Sequence, residues 1–420
     1  MDRRVVVTGM GAVSCGGNSV PELWETLVSG RSGIGPTTVC DVSDIPSAIA
    51  GEVRGLVLND VPKKEERRLA RFTRFAMAAC DEALKMAGIP KRPEDRTEDP
   101  FRFGVIVTPG ACGVDVYDRN MEQLLSHGPG GVSAFFLPEF ISSSGAGNLS
   151  RRYGARGPGF GASAACAAGA YSIGEAWWAI RRGDADMMLA GGSDACITRM
   201  FLSGFCSLTA VSRRNDEPEK ASRPFDADRD GFVIAEGAGV LFLEELEHAK
   251  ARGAAILAEL AGYGATCDAF HPTAPDPSGA GDAEAMRTAL RHAGCAPEQV
   301  GHIAAHGTGT IVNDRCETRA IRRAFGAAAD GIAVNGIKSM IGHAIGAAGG
   351  LGAISCIRTL QTGIVPPTIN CEHQDPECDL NVTPLKAGFI DTEYALTNSL
   401  GFGGHNAALL FRKWQSSFKG

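Results

Sequence analysis

The sequence predicts a layered α/β protein of two similar halves, residues 1–255 and 256–420. Three observations predict it. Short apolar runs of strand length alternate with longer segments of helical spacing. The second half repeats the strand–helix rhythm of the first. The chain's 420 residues are long for one simple domain and suit two fused halves or one large α/β unit.

The elements follow in order. Residues 4–8 read as a buried strand ending in Gly9-Met10-Gly11. This imitates a dinucleotide fingerprint, but Ser14 stands where the third glycine belongs, so no nicotinamide site is expected. Residues 62–88 carry Ala70, Phe72, Phe75, Ala76, Ala79 and Leu84 at helical spacing, and residues 89–100 form a polar loop. Residues 103–107 are a second strand. Residues 164–182 form a buried helix closed by Gly183, followed by a strand at 186–190. A charged loop over 213–231 leads to a strand at 232–243 and a helix at 247–252. In the second half, strands are expected at 256–263, 303–305, 395–398 and 407–411, and helices at 280–294, 318–325 and 346–362.

Composition narrows the function. The net charge of −7 offers no basic field to nucleic acid or an anionic membrane. No apolar run approaches the ~18 residues that span a bilayer. The start, Met1-Asp2-Arg3-Arg4, runs straight into a strand, so no secretory signal is expected. The 13 cysteines are odd in number, scattered and without a Cys-x-x-Cys pair. They indicate reduced thiols in a cytoplasmic setting.

Three stretches carry candidate chemistry. In Gly161-Ala162-Ser163-Ala164-Ala165-Cys166-Ala167-Ala168-Gly169, one thiol sits among small residues where a helix begins. A helix N-terminus favours a thiolate and predicts a lowered pKa, and a backbone N–H there can serve an oxyanion. A buried structural cysteine in a small-residue helix fits the same stretch. His306-Gly307-Thr308-Gly309-Thr310 follows a short apolar strand. Lys338 and His343 share a glycine-rich turn before a helix, and Asn398-Ser399-Leu400-Gly401-Phe402-Gly403-Gly404 is a third such turn. His306, Asp314, Cys316 and His343 are possible metal ligands, but their spacing fits no standard zinc pattern, and no metal is expected.

Together these stretches resemble the β-ketoacyl-acyl-carrier-protein synthases, closest to the elongating enzymes. Further matching blocks are Ser222-Arg223-Pro224-Phe225-Asp226, Arg229-Asp230-Gly231-Phe232, Asp268-Ala269-Phe270-His271 and Val365-Pro366-Pro367-Thr368-Ile369-Asn370. The resemblance implies a thiolase fold, with duplicated halves in a five-layered α-β-α-β-α sandwich. It implies that Cys166 accepts an acyl group, and that His306 and His343 bind a malonyl thioester and promote its decarboxylation. It implies an oxyanion hole at the N–H groups of Cys166 and Phe402, and gating by Phe402, Phe205 and Leu400. Lys338 is implied to order the site with Glu317, supported by Asp314. Thr308 and Thr310 match positions that hold a phosphopantetheine arm, which arrives on acyl carrier protein rather than as a bound cofactor. Lys64, Arg67 and Arg68 match a carrier-docking patch. A dimer is implied, of two copies or with a related ketosynthase subunit. Both fatty-acid elongation and a type II polyketide or polyene pathway with a chain-length-factor-like partner fit.

The departures are specific. Ala111 stands where a bulky aliphatic gate is usual in the acyl pocket, which predicts a deeper or wider pocket. Leu400 replaces a phenylalanine, Ala167 and Ala168 replace threonine and serine, and Thr209 replaces a basic docking residue. Glu139 is an unusual acid in a segment that often lines the pocket at the dimer interface. It is expected to face solvent; burial would point to a polar or polyene-like substrate.

Overall fold

The computed structural model describes residues 3–58 and 60–415. To its nine-stranded main sheet the first half supplies four strands: β1 (Val5–Val13), β2 (Phe103–Thr108), β3 (Met187–Asp194) and β4 (Gly237–Glu245). The second holds β5 (Ala258–Cys267), β6 (Val300–Ala304), β7 (Ala333–Asn335), β8 (Tyr394–Gly401) and β9 (His405–Lys413). Going outward from β1, the neighbours β4, β3 and β2 pair antiparallel, antiparallel and parallel. Outward from β5, the neighbours β9, β8 and β6 pair in the same three senses. That shared pattern marks the duplication. The halves join where Val6 pairs with Glu259 and Val7 with Ala258, giving the order β2-β3-β4-β1-β5-β9-β8-β6-β7.

Alternating side chains sort the layers. Val240 and Phe242 of β4 pack outward on α1 (Arg71–Ala87) and α2 (Ser144–Tyr153), with Phe72, Phe75, Leu84 and Leu149. Leu241 and Leu243 point inward to α3 (Ala168–Arg182) and to α6 (Ala347–Thr362). From the other side, Leu409 and Phe411 of β9 meet the same two helices. Ala408 and Leu410 face out to α4 (Ala280–Ala293) and α5 (Ile311–Phe325). The result is five layers, α-β-α-β-α.

The middle layer is packed backbone to backbone. A Cβ on Gly169 of α3 would lie 2.3 Å from the Gly346 carbonyl oxygen. One on Gly349 would lie 2.5 Å from the Ala170 nitrogen. Only glycine permits such an approach.

Several expected boundaries move, each for a physical reason. β1 does not end at Gly9-Met10-Gly11 but runs through it. Cβ atoms at Gly9 and Gly11 would lie 2.1 and 1.8 Å from carbonyl oxygens of Ala83 and Ala79, so these glycines admit α1 rather than a nucleotide. The expected helix over 62–88 is two, Lys63–Glu66 and α1, separated where Leu69 and Ala70 turn into the core. Residues 232–236 are not strand but form isolated bridges, among them Ile234 to His343. β3 passes through Gly191-Gly192 to Asp194. The helix Val114–His127 was not legible, because it buries only Val114 and Val116 and so lacks an apolar stripe. α5 begins seven residues earlier than its apolar spacing suggests: Ile311 and Val312 are exposed, while Asn313, Asp314 and Glu317 are buried. That inverted turn belongs to the site.

Gly169→Ala is expected to cost about 3 kcal/mol of stability, because neither backbone can yield without moving a helix. A urea midpoint equal to the parent's would contradict this packing.

Candidate active site

Cys166 lies in a single tight turn, Ala165–Ala167, immediately before α3. Ala165 has φ of 48°, in the left-handed region, which bends the chain sharply into the helix. Gly401 presses on this turn; a Cβ there would lie 2.5 Å from the Ala164 oxygen and 3.3 Å from the Cys166 nitrogen. The contact brings the N–H of Phe402 beside that of Cys166, and both favour negative charge on the sulfur. The expected lowered pKa is nevertheless wrong. Burial, reinforced by the Asp194 carboxylate, pushes the thiol up to about 12, although Lys338 and the two N–H groups oppose it. At rest Cys166 is a neutral thiol.

His306 follows β6 and is held by its main chain. Its N–H donates to Glu317 Oε1 at 2.6 Å and to Asn398 Oδ1 at 3.1 Å, and the next N–H, of Gly307, donates to Glu317 Oε2 at 2.7 Å. Lys338 Nζ donates to the His306 carbonyl. Glu317 and Lys338 thus grip one residue's backbone from its two ends. His343 is held the same way: its N–H donates to Val233 O at 2.7 Å, and its carbonyl accepts from Ala235 N at 2.9 Å. The rings stand edge to face, centroids 5.2 Å apart. Burial and the Lys338 cation hold both well below the usual imidazole range, so both are neutral. Burial brings Lys338 itself down to about 8.

Cys166, His306 and His343 share a mostly apolar cavity of about 400 Å³. Thr308, Thr310, Phe205, Leu400 and Phe402 line it too. The Thr308 and Thr310 hydroxyls lie 3.0 Å apart, and Thr310 caps α5. Phe205 and Phe402 are 6.4 Å apart, with Phe402 at the exposed mouth and Leu400 buried. Neutral imidazoles beside a thiol in such a cavity can donate hydrogen bonds to a thioester oxygen where little water competes.

The remaining candidates lie elsewhere. Asp314 is fully buried outside the cavity lining. It accepts from Phe225 N at 2.9 Å and Gly309 N at 3.2 Å and pairs with Arg229 at 3.2 Å, so it shapes the turn after His306. Ala111 is absent from the lining and sits in the apolar cluster around Cys166, with Leu202, Phe205 and Ile345. Lys64, Arg67 and Arg68 are exposed; Lys64 and Arg68 border a separate surface groove with Arg151 and Glu139. Glu139 is half-buried rather than solvent-facing, and burial pushes its carboxyl up to about 7. Asn398 and Asp194 were missed as participants, since nothing local distinguishes them. Among the described residues no three His, Cys, Asp or Glu side chains are grouped to hold a metal. No described helix is long and apolar enough to cross a membrane.

Residues 2–249 match the profile of the "Beta-ketoacyl synthase, N-terminal domain", and residues 257–372 that of the "Beta-ketoacyl synthase, C-terminal domain". The chain belongs to the β-ketoacyl synthase family. It is 45% identical over 416 residues to the 3-oxoacyl-[acyl-carrier-protein] synthase 2 of Staphylococcus aureus (strain N315), covering 99% of both chains. Among solved β-ketoacyl synthases and their relatives, it resembles the ketosynthase of a type II PKS in complex with its acyl-carrier protein bound to the hexaketide. There the TM-score is 0.90 at 35% identity, with 99% of this chain and 100% of that chain covered. The ishigamide ketosynthase/chain length factor gives 0.88 at 36%, again over 99% and 100%. The thiolase-like fold implied by the sequence blocks is therefore the fold of this synthase.

Glu317→Gln replaces a two-oxygen acceptor by one oxygen and a donor that faces an N–H. It should cost this synthase about 1–3 kcal/mol and slow condensation. Urea melts and carrier-based turnover check it; parental values of both would refute the grip on His306.

Proposed function

We propose that this enzyme elongates fatty acyl chains. It condenses an acyl group held on Cys166 with malonyl-acyl carrier protein, giving β-ketoacyl-acyl carrier protein and carbon dioxide. The supporting observation is that one thiol and two neutral imidazoles share a single apolar cavity.

In the first half-reaction the Cys166 sulfur attacks the acyl thioester. The carrier's sulfur leaves and takes up the proton that Cys166 gives up. The N–H groups of Cys166 and Phe402 meet the tetrahedral oxygen. In the second, malonyl thioester enters with its carbonyl oxygen toward His306 and His343. The bond to the carboxylate breaks, carbon dioxide leaves, and its electron pair becomes an enolate stabilised by the two imidazole donors. The enolate carbon attacks the Cys166 thioester, and the sulfur departs and takes up a proton from solvent, one proton being consumed per condensation. Neutral rings suit this work, since they donate without attracting the malonyl carboxylate that must leave. Lys338 and Glu317 position His306. The phosphopantetheine arm arrives on the carrier, with the Thr308 and Thr310 hydroxyls along its path.

The carrier's acidic surface would meet the exposed Lys64, Arg67 and Arg68. Leu125, Leu137, Ile141 and Phe160 are exposed on neighbouring stretches of the first half, and a second copy of the chain would cover them. The free cysteines suit a cytoplasmic setting. A second reading, a type II polyketide or polyene ketosynthase paired with a chain length factor, draws on the half-buried Glu139 and on the ketosynthase neighbours, which are less similar in sequence than the elongating relatives.

Cys166→Ala should abolish acylation and condensation, read by intact mass spectrometry, yet keep carbon dioxide release from malonyl-carrier. His306→Ala and His343→Ala should each lose at least about 10²-fold of that release. Acylation surviving in the Cys166→Ala protein would overturn the assignment.

A further inference from the structure

Asp194 ends β3 directly behind the nucleophile and is fully buried. Its Oδ2 accepts from Gly110 N and Gly346 N, each at 2.6 Å. Its Oδ1 accepts from Ala111 N at 3.2 Å and from Cys196 Sγ at 3.3 Å. The four donors are three backbone N–H groups and a thiol, none of them a cation. The segments that supply them pack around the site rather than line its cavity. Gly110 and Ala111 lie in the turn after β2, against the cluster that holds Cys166. Gly346 is the last residue before α6, three after His343.

These segments meet with no room for side chains. A Cβ on Gly110 would lie 2.5 Å from the Ala165 oxygen, and one on Gly346 would lie 2.4 Å from the Gly110 nitrogen and 2.6 Å from Asp194 Oδ2. One on Gly192 would lie 2.0 Å from the Gly346 oxygen. Two distant main-chain segments and the Cys196 thiol therefore converge on one carboxylate, which has the lone pairs to accept from all its donors at once.

We infer that Asp194 is a positioning residue for the proposed condensation: its carboxylate ties the turn at Gly110–Ala111 to the turn that follows His343, and sets a negative charge against the Cys166 thiol. The inference rests on Cys166 being the acyl acceptor. The charged and titratable groups around Asp194 are Cys112 after β2, Cys196 on its own segment, Cys166 before α3, and Asp115 on the helix Val114–His127, which acts on Cys196. Lys338 counters Asp194 at Cys166 by favouring the thiolate. Burial and Asp194 together keep the nucleophile a thiol, and the ties to Gly110, Ala111 and Gly346 keep the turn after β2 and the turn after His343 in a fixed register beside it.

Asp194→Asn removes the charge and two of the acceptor sites while conserving shape. The apparent pKa of Cys166 is read from the pH dependence of iodoacetamide alkylation of its own peptide by mass spectrometry. It should fall by about 1 or more. Condensation kcat should fall about tenfold or more. A variant that only melts earlier, with the Cys166 titration unmoved, overturns the inference. Should the variant not fold, the parent protein decides. Burial holds the Asp194 carboxyl near pH 6, so its protonation should lift Cys166 alkylation above the tenfold-per-pH-unit line below that pH. An unbroken line overturns the inference. Acylation of Cys166 by acyl-carrier, measured in parallel, separates the two levels. Its absence refutes the proposed reaction, whereas normal acylation with an unmoved titration refutes only the role of Asp194.

Discussion

Helices α3 and α6 begin side by side, with glycines at the points of closest approach. Gly169 faces the Gly346 carbonyl, Gly349 faces the Ala170 nitrogen, and Gly350 faces the Gly239 carbonyl of β4, each too close for a Cβ. This contact fixes the distance between the two halves of the chain. It also determines where the reactive groups fall. Cys166 occupies the turn before one helix and His343 lies four residues before the other, so pressing the two helix starts together brings thiol and imidazole into one cavity. His306 and Phe402 arrive from the ends of β6 and β8, which lie beside each other in the second half's sheet.

Burial then sets the electrostatics. The thiol is pushed up, both imidazoles are pushed down, and the Lys338 ammonium is brought down to about 8 while keeping its charge at neutral pH. A helix start and two N–H groups do not offset the loss of water around the sulfur. The site therefore works with neutral groups aimed at places where charge develops during reaction, rather than with a standing thiolate or imidazolium. The charged residues that remain, Glu317, Lys338 and Asp194, act mainly on backbone. They hold His306, Gly307, Gly110, Ala111 and Gly346 in place.

Much of this was legible in the sequence, and the failures have identifiable causes. Cys166, His306, Lys338, His343 and Phe402 stand in short turns whose order along the chain matches the β-ketoacyl synthases, so the resemblance implied their convergence. The two-half α/β rhythm was readable because most strands carry a short apolar run. Gly9 and Gly11 misled because glycine in a strand can serve a neighbouring helix as well as a turn. The first turn of α5 was hidden because its polar residues face inward to serve His306 and its apolar ones face out. Asp194 and Asn398 left no local signal, because their partners lie far off in the chain: the Asp194 partners Gly110 and Gly346 are 84 and 152 residues away, and His306 is 92 residues from Asn398. The direction of the Cys166 shift was misjudged for the same reason, since a local helix start is visible in sequence and desolvation by distant segments is not.

The most direct test of the shared cavity is a crystal structure of the protein acylated from an acyl-carrier thioester. The account predicts a thioester on the Cys166 sulfur, its carbonyl oxygen within hydrogen-bond distance of the Cys166 and Phe402 nitrogens, and the His306 and His343 rings facing the thioester across the cavity. Acyl density on a different cysteine, or a thioester oxygen turned away from those two nitrogens, would contradict it.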